Sequence, residues 1–367
     1  MSILDTLPTP CLVLDLPTLK RNVARMAQAV ARHPGVVLRP HMKTAKCAAV
    51  AALASPGGGP ITVSTLAEAR YFAAHGFRDQ IYAVGIVPAK LGVVAGLNAE
   101  GNDVKIITDD LDAARAIAAF PGMLTALNEI EVGEGRAGIA PDDPLLMEIA
   151  AALGPRLVGV LSHSGHSYAG RGDAAMAALA EQERVALLDA ARRLRAAGHA
   201  LRILSAGASP TAFHARTLDG ITEIRAGVYM MGDLLQAQLG VHPLEDIAVT
   251  VLASVIGRYP ARGAVLIDAG ALALSKDRST EAAPRDWKFG RVLDQDGNAT
   301  LGDAMVTRVH QEHGEVRGEA LPLERLHVGT RLRVAPNHVC LTAAAHPHYH
   351  VIENGALVAV WPRVNYW

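Results

Sequence analysis

Cysteine, surplus charge and long apolar runs are what this 367-residue chain lacks. Its three cysteines, Cys11, Cys47 and Cys340, are too few and too scattered for a disulfide framework. Thirty-five basic residues stand against 36 acidic ones, a net charge of -1, which leaves no electrostatic surplus to hold nucleic acid or an acidic membrane surface. No apolar run reaches the roughly 18 residues that span a bilayer. The first twenty residues carry acids and three prolines, unlike a signal peptide. No G-x-G-x-x-G turn follows the first strand-like run, which argues against a dinucleotide-binding doubly wound sheet. These absences predict a soluble, cytoplasmic, globular protein that holds neither nucleic acid nor a membrane.

Apolar residues are plentiful, 50% against 19% charged, enough for a sizeable core. A single domain stops growing near about 250–300 residues, so the length predicts one large domain and a smaller one. Leu19, Val23, Met26, Ala27 and Val30 recur at helical spacing, and His33-Pro34-Gly35 ends that helix. Eight short β-branched runs follow, at 36–39, 61–63, 81–84, 104–107, 124–132, 157–161, 201–204 and 221–225. Alanine-rich helical stretches separate them, one opening on a capping box at Thr65 and Glu68. Eight strand–helix repeats in some 200 residues predict an α/β fold of (β/α)8 type over residues 1–240. Beyond it, strand-like segments with little helical periodicity predict a mostly-β domain over 241–367, interrupted by a charged, irregular stretch from Lys276 to Asp303.

Barrel chemistry gathers at the C-terminal ends of the strands. Lys43 follows the first run, Arg136 the fifth, His163 and Tyr168 the sixth, Gly207 to Thr211 the seventh, and Gly227 with Val228 the eighth. A lysine after a strand is ordinarily just solvated, and a glycine-serine turn is ordinarily a plain loop. Turns after the seventh and eighth strands are nevertheless the recurrent phosphate site of this fold, because free backbone N–H groups there face an anion. A lysine at one side and a phosphate cradle at the other point to pyridoxal phosphate held as a Schiff base.

The segments TPCLVLDLPTL, LRPHMKTAK, EIEVGEGRAGI, SHSGHSY, GASPT, TEIRAGVYMMGD, IDAGALALSKD, QEHG and PNHVCLTAA carry a resemblance over nearly the whole chain. In order and spacing they resemble the alanine-racemase-like, fold-type-III pyridoxal-phosphate enzymes, and within them the D-serine dehydratase and D-threonine aldolase group. The resemblance implies that Lys43 is the Schiff-base lysine and that Gly207, Ser209, Gly227 and Val228 hold the phosphate. Tyr168 would add a hydroxyl, and Thr211 joins the cofactor-binding set. It further implies that His163 lies against the pyridine ring, that Arg136 sits near the cofactor's oxygen or ring edge, and that the first strand can join the β domain. Sites at the interface of a homodimer are also implied. Glu131 stands where aspartate is expected, and Ala208 where glycine or serine is common.

His338 and Cys340 stand at i, i+2, which in a strand puts both on one face. A bare His-x-Cys is a poor motif, since closed zinc sites take three or four protein ligands. The resemblance implies a two-residue metal site open to the substrate hydroxyl, with His338 also catalytic. The cysteine suits zinc, whereas the aspartate of many aldolases suits harder ions such as manganese. His346, His348 and His350 alternate in HPHYH, a pattern that reads more simply as an exposed strand edge than as a second metal site.

The expected reaction is therefore loss of water from a D-configured β-hydroxy amino acid of D-serine or 3-hydroxy-D-aspartate type, giving a keto acid and ammonia. Lys43 takes the Cα proton and the metal assists the hydroxyl. The alternative is retro-aldol cleavage to glycine and an aldehyde. A racemase would need a second acid/base facing Cα, for which no residue stands out. A non-catalytic cofactor carrier would lack the β domain and PNHVC. Arg39, Arg136 and Arg225 are candidates for a second substrate carboxylate.

Overall fold

The computed structural model describes residues 2–367. Along the chain run β1 (Cys11–Asp15), α1 (Leu16–Ala31), β2 (Val37–Pro40), α2 (Ala48–Ala54), β3 (Ile61–Val63), α3 (Leu66–Ala74), β4 (Asp79–Gly85), α4 (Leu91–Ala99), β5 (Asp103–Thr108) and α5 (Leu111–Ala119). Then come β6 (Ala126–Ile130), α6 (Pro144–Leu153), β7 (Leu157–Ser162), α7 (Asp173–Ala196), β8 (Ile203–Ala206), α8 (Ser209–His214) and β9 (Glu223–Ala226). The remainder is α9 (Leu234–Gln238), β10 (Val249–Tyr259), β11 (Ala264–Ile267), α10 (Ala271–Leu274), β12 (Arg291–Leu293), β13 (Met305–Val309), β14 (Gly314–Arg317), β15 (Arg331–Ala335), α11 (Val339–Ala344), β16 (His348–Glu353) and β17 (Ala356–Pro362). None of the helices among the described residues is long and apolar enough to cross a membrane.

Two compact units result. Residues 24–227 with 366–367 form one, and residues 2–23 with 228–365 the other. The chain thus passes to the second unit at Val228 rather than near residue 240.

In the first unit the eight runs read from the sequence are the eight strands β2 to β9. They are parallel and ordered β2-β9-β8-β7-β6-β5-β4-β3. A single parallel bridge between His41 and Thr62 brings the two ends together, so the sheet is a nearly closed barrel. Ile81, Ile107, Leu127, Val158 and Leu161 form a dry cluster, each side chain stabilising the fold by about 1.5–3 kcal/mol through burial. Beside it lies a buried charge network. The Arg39 guanidinium pairs with Asp79 (2.8 Å) and Glu223 (2.8 Å), and Lys105 pairs with Asp79 (2.8 Å) and Asp103 (2.7 Å). Arg39 is fully engaged there and does not offer itself to a substrate carboxylate.

The second unit is a nine-stranded sheet in the order β11-β14-β13-β12-β15-β10-β1-β16-β17. β1 sits inside it, antiparallel to β10 and parallel to β16. The stretch from Lys276 to Asp303, expected to be irregular, includes the short strand β12, paired to β13 and β15. In the N-terminal helix α1, Leu19, Met26, Ala29 and Val30 are buried, while Ala27, expected on that face, is exposed.

Candidate active site

Lys43 lies on the turn that follows β2. The His41–Thr62 bridge, the Met42 N–H to Thr62 carbonyl bond (2.8 Å) and the Lys46 N–H to Met42 carbonyl bond (2.7 Å) fold residues 41–46 tightly over the end of the barrel. Lys46 adopts a left-handed φ of 48°, a costly conformation for a side-chain-bearing residue, and its ammonium pairs with Glu68 at 2.9 Å. Glu68 is fully buried. It accepts the Ser64 amide (3.1 Å) and hydroxyl (3.1 Å), while the Thr65 hydroxyl caps α3 by accepting the Glu68 N–H (3.0 Å). Only half of the expected capping box forms, because its glutamate accepts from Ser64, one residue before the N-cap, and pairs with Lys46 on the lysine turn. The carbonyl of Tyr366 accepts the Thr65 hydroxyl at 3.2 Å, so the tail ends beside the C-terminal end of β3.

Two imidazoles report what surrounds Lys43. The Lys43 N–H donates to His41 Nδ1 at 3.4 Å, and His41 is held well below the usual histidine range by burial and by the charges of Lys43, Arg225 and His163. His163, just past β7, is pushed down to about 3 by burial and by Lys43, Arg136 and Arg225, against a weak bond from its Nδ1 to the Gly207 carbonyl (3.4 Å). Both rings are therefore neutral at ordinary pH, and three cations converge on His163.

Arg225 is held from below. Its guanidinium donates to the Ser205 hydroxyl (2.6 Å) and to the Ser162 carbonyl, and Ser205 in turn donates to Glu223 (2.6 Å). Arg136 is looser. Its side chain is 52% exposed and sits 3.6 Å from both Glu129 and Glu134. Burial raises Glu129 above the usual carboxylate range despite Arg136. Glu131, the departure from the expected aspartate, orders the same loop by accepting the Gly133 (2.7 Å) and Gly135 (2.8 Å) N–H groups. Tyr168 lies in a short 3-10 turn, Gly165–Ala169, after β7.

The turn after β8 corrects one expectation. Gly207 was expected to offer its N–H to a phosphate, but that N–H donates to the buried Glu183 carboxylate at 2.8 Å. Gly207 contributes conformation instead. Its φ of 132° suits glycine, and a Cβ there would meet the Arg225 carbonyl at 2.3 Å. Thr211 is likewise engaged, accepting from the Ala208 N–H (3.2 Å) and lying 3.4 Å from Glu183. Ser209 opens α8 and is buried. Gly227 packs against the lysine turn, where a Cβ would meet the His41 carbonyl at 2.6 Å and the Thr44 hydroxyl at 3.1 Å. Buried Val228 follows it in the chain.

The mouth fits a phosphorylated aldehyde cofactor. Lys43, Arg136 and Arg225 supply positive charge around neutral imidazoles. The hydroxyls of Thr62, bridged to His41, and of Ser164, next to His163, are buried with no hydrogen-bond partner. An anionic, acceptor-rich group is what such a set requires.

In the second unit, His338 and Cys340 do not lie on a strand, as their spacing suggested. β15 stops at Ala335, where Pro336 has no N–H to continue the ladder, and α11 begins at Val339. His338 is the N-cap residue of that helix, with extended backbone (φ −134°, ψ 104°). The two side chains still meet. Burial pushes the His338 imidazole down, but its hydrogen bond to Cys340 and the charges of Cys340, Asp233 and Asp277 outweigh that and raise it to about 9. One imidazole nitrogen and the sulfur of the partly buried Cys340 form a donor set of the softness that zinc prefers. Among the described residues no group of three or more His, Cys, Asp or Glu side chains assembles around a metal position, so a bound ion would keep open positions.

His346 precedes β16 and is buried, with Nε2 on the Ala273 carbonyl at 2.9 Å. His350 Nδ1 lies 3.3 Å from the Leu12 carbonyl. β16 is an internal strand between β1 and β17, not an exposed edge.

Sequence reasoning underweights His41, Arg225, Glu183 and Asp233. Arg225 was readable, since it stands two residues before Gly227 on a barrel strand and so shares the inward face with Glu223. Glu183 was not, because it acts from the middle of α7 on residues 21 and 24 positions away.

A lysine on a pinned turn after the first barrel strand, neutral imidazoles and glycine turns beside it, and a separate β unit define a class. Residues 14–234 match the alanine racemase N-terminal domain and residues 248–352 the putative serine dehydratase domain. The chain belongs to the fold-type-III pyridoxal-phosphate enzymes of alanine-racemase-like fold, in their serine-dehydratase branch, and is a lyase. It is 43% identical to D-threo-3-hydroxyaspartate dehydratase of Delftia sp. (strain HT23), over 99% of this chain and 98% of that one. The solved structure of that dehydratase superposes with a TM-score of 0.96 at 42% identity, covering 100% of both chains. D-serine dehydratase of Dictyostelium discoideum is 29% identical over 96% of this chain and 95% of its own.

Proposed function

We propose that this enzyme dehydrates a D-configured β-hydroxy amino acid of the 3-hydroxy-D-aspartate or D-serine type, giving a keto acid and ammonia. The observation that carries this reading is the hydrogen-bonded His338–Cys340 pair in a chain that matches a 3-hydroxyaspartate dehydratase from end to end.

Lys43 is the residue that would hold pyridoxal phosphate covalently, with Gly207, Ser209, Thr211, Gly227, Val228 and Tyr168 around its phosphate. When bound, that cofactor supplies an electron sink that makes the substrate's Cα–H acidic. Once the substrate's own amino group has displaced it from the cofactor, the freed Lys43 Nζ would take the Cα proton as general base. His163, kept neutral by burial and by the charges of Arg136 and Arg225, presents an imidazole face without adding charge. Arg225, fixed by Ser205 and Ser162, keeps a permanent positive charge beside it, and the more exposed Arg136 orients an anionic group at the rim. A zinc ion on His338 and Cys340 would act as a Lewis acid toward the β-hydroxyl, turning it into a better leaving group.

The test is product identification from a panel of D- and L-β-hydroxy amino acids, repeated after chelation and after zinc is restored. A keto acid and ammonia from D-isomers, lost with chelator and regained with zinc, are expected. Glycine and an aldehyde as products would replace dehydration by retro-aldol cleavage. Turnover indifferent to the chelation cycle would remove the metal pair from the mechanism.

A further inference from the structure

We propose that Asp233 is a positioning residue for the His338–Cys340 pair, its carboxylate fixing the register of the short segment that carries both donors. This rests on reading the pair as metal ligands.

The argument begins with a conflict at His338. It occupies the N-cap position of α11, where a side chain ordinarily accepts one of the helix's first, unpaired N–H groups. His338 makes no such bond, because its imidazole is turned to Cys340. A six-residue helix has little capacity to hold its own first turn, and both donors sit on that turn. The missing acceptor comes from 106 residues earlier in the chain: Asp233 Oδ2 accepts the N–H of Val339, the residue between the two donors, at 3.1 Å. The other oxygen, Oδ1, accepts the Gln236 N–H at 2.8 Å and caps α9. Asp233 is 1% exposed, each of its oxygens accepts a backbone N–H, and among the described residues it does not group with His338 and Cys340 as a third donor around a metal position, so it acts as a brace.

The neighbours of Asp233 extend the brace. The Leu234 N–H donates to the Pro336 carbonyl (3.0 Å) and the Leu235 N–H to the Asn337 carbonyl (3.3 Å). Three consecutive residues, 233 to 235, therefore fix positions 336, 337 and 339 around His338. On the other flank the Asn337 amide donates to the carbonyls of Asp277 (3.1 Å) and Lys288 (2.5 Å) and accepts the Thr280 hydroxyl (3.1 Å). Partners that hold metal ligands in place ordinarily carry a 10–100-fold share of metal affinity.

Three variants separate this role from simple helix capping. Asp233→Ser retains a short cap for Gln236 but cannot reach Val339. Asp233→Asn keeps one acceptor oxygen and acts as the conservative rescue. Val339→Pro leaves Asp233 intact and removes the N–H it accepts, at a first helical position where proline is well tolerated, with the exchange of this buried side chain read in the unfolding midpoint; it carries the test if Asp233→Ser does not fold. Zinc affinity of the purified, cofactor-bound protein is read by competition with a chromophoric chelator, and urea unfolding of the metal-free protein is read alongside. Expected are affinities weakened about 10–100-fold in Asp233→Ser and Val339→Pro, with Asp233→Asn between them and the native chain. Native zinc affinity in folded Asp233→Ser and Val339→Pro, with only the unfolding midpoint lowered, overturns the proposal while leaving the pair as ligands. Zinc binding that is absent from the native chain, or unchanged in His338→Ala and Cys340→Ala, overturns the metal reading and this inference together.

Discussion

The backbone N–H of Gly207 donates to the Glu183 carboxylate at 2.8 Å, and the same carboxylate oxygen accepts the Ser162 hydroxyl at 2.7 Å. One buried side chain on α7 thereby ties the end of β7 to the turn after β8. Glu183→Ala leaves both donors in the interior without an acceptor, at about 1–3 kcal/mol for each orphaned group. Glu183→Gln keeps an acceptor oxygen and costs less. Urea unfolding of the two variants checks this order; an alanine variant as stable as the glutamine one contradicts it.

Gly227 sets the height of the lysine turn. In Gly227→Ala the new methyl meets the His41 carbonyl at 2.6 Å, a backbone atom that yields only if residues 41–44 shift. Overpacking of this kind costs about 1–3 kcal/mol, and the shift falls on the turn that carries Lys43. Cofactor titration of the variant is expected to show weakened pyridoxal phosphate binding, and native affinity would show that the turn does not depend on this contact.

Much of this arrangement was legible beforehand, and the failures share a cause. The eight barrel strands were readable because parallel strands buried on both faces give unbroken apolar runs, each followed by its own polar turn. The His338–Cys340 pair was readable as a pair but misplaced on a strand. Spacing alone does not show that Pro336 ends β15 or that the next six residues coil. The acceptors that decide the site, Glu183 for Gly207 and Asp233 for Val339, act across 24 and 106 residues. A long-range hydrogen bond leaves no local pattern. Gly207 shows this: a glycine turn is visible in sequence, but the carboxylate that occupies its N–H is not.

The buried charge network predicts a large loss from a small change. Glu223 accepts from Arg39 (2.8 Å) and from Ser205 (2.6 Å), which holds Arg225. Glu223→Gln preserves shape but removes the charge facing two buried guanidiniums, and breaking a buried pair costs about 3–5 kcal/mol. A urea midpoint near that of the native chain would show the network to be dispensable.

His163 gives the acid limb of stability. Its pKa is pushed down from 6.5 to about 3 in the folded chain, so between those values the unfolded chain binds a proton that the folded chain does not. The stability is fully present above pH 6.5 and is lost as pH falls toward 3, by about 1.4 kcal/mol per pH unit within that window. Cofactor-free His163→Gln should lose less stability than the native chain between about pH 7 and about pH 5. The His41 ring, also held low, leaves part of the slope in place. Equal slopes in the two proteins would contradict the assignment.

The most direct measurement is borohydride reduction of the cofactor-replete enzyme, followed by proteolysis and mass mapping. The peptide containing Lys43 is expected to carry the pyridoxyl group, and Lys43→Ala to yield no labelled peptide. A label on Lys46 or any other lysine, or none on a fully loaded sample, would contradict the account at its foundation.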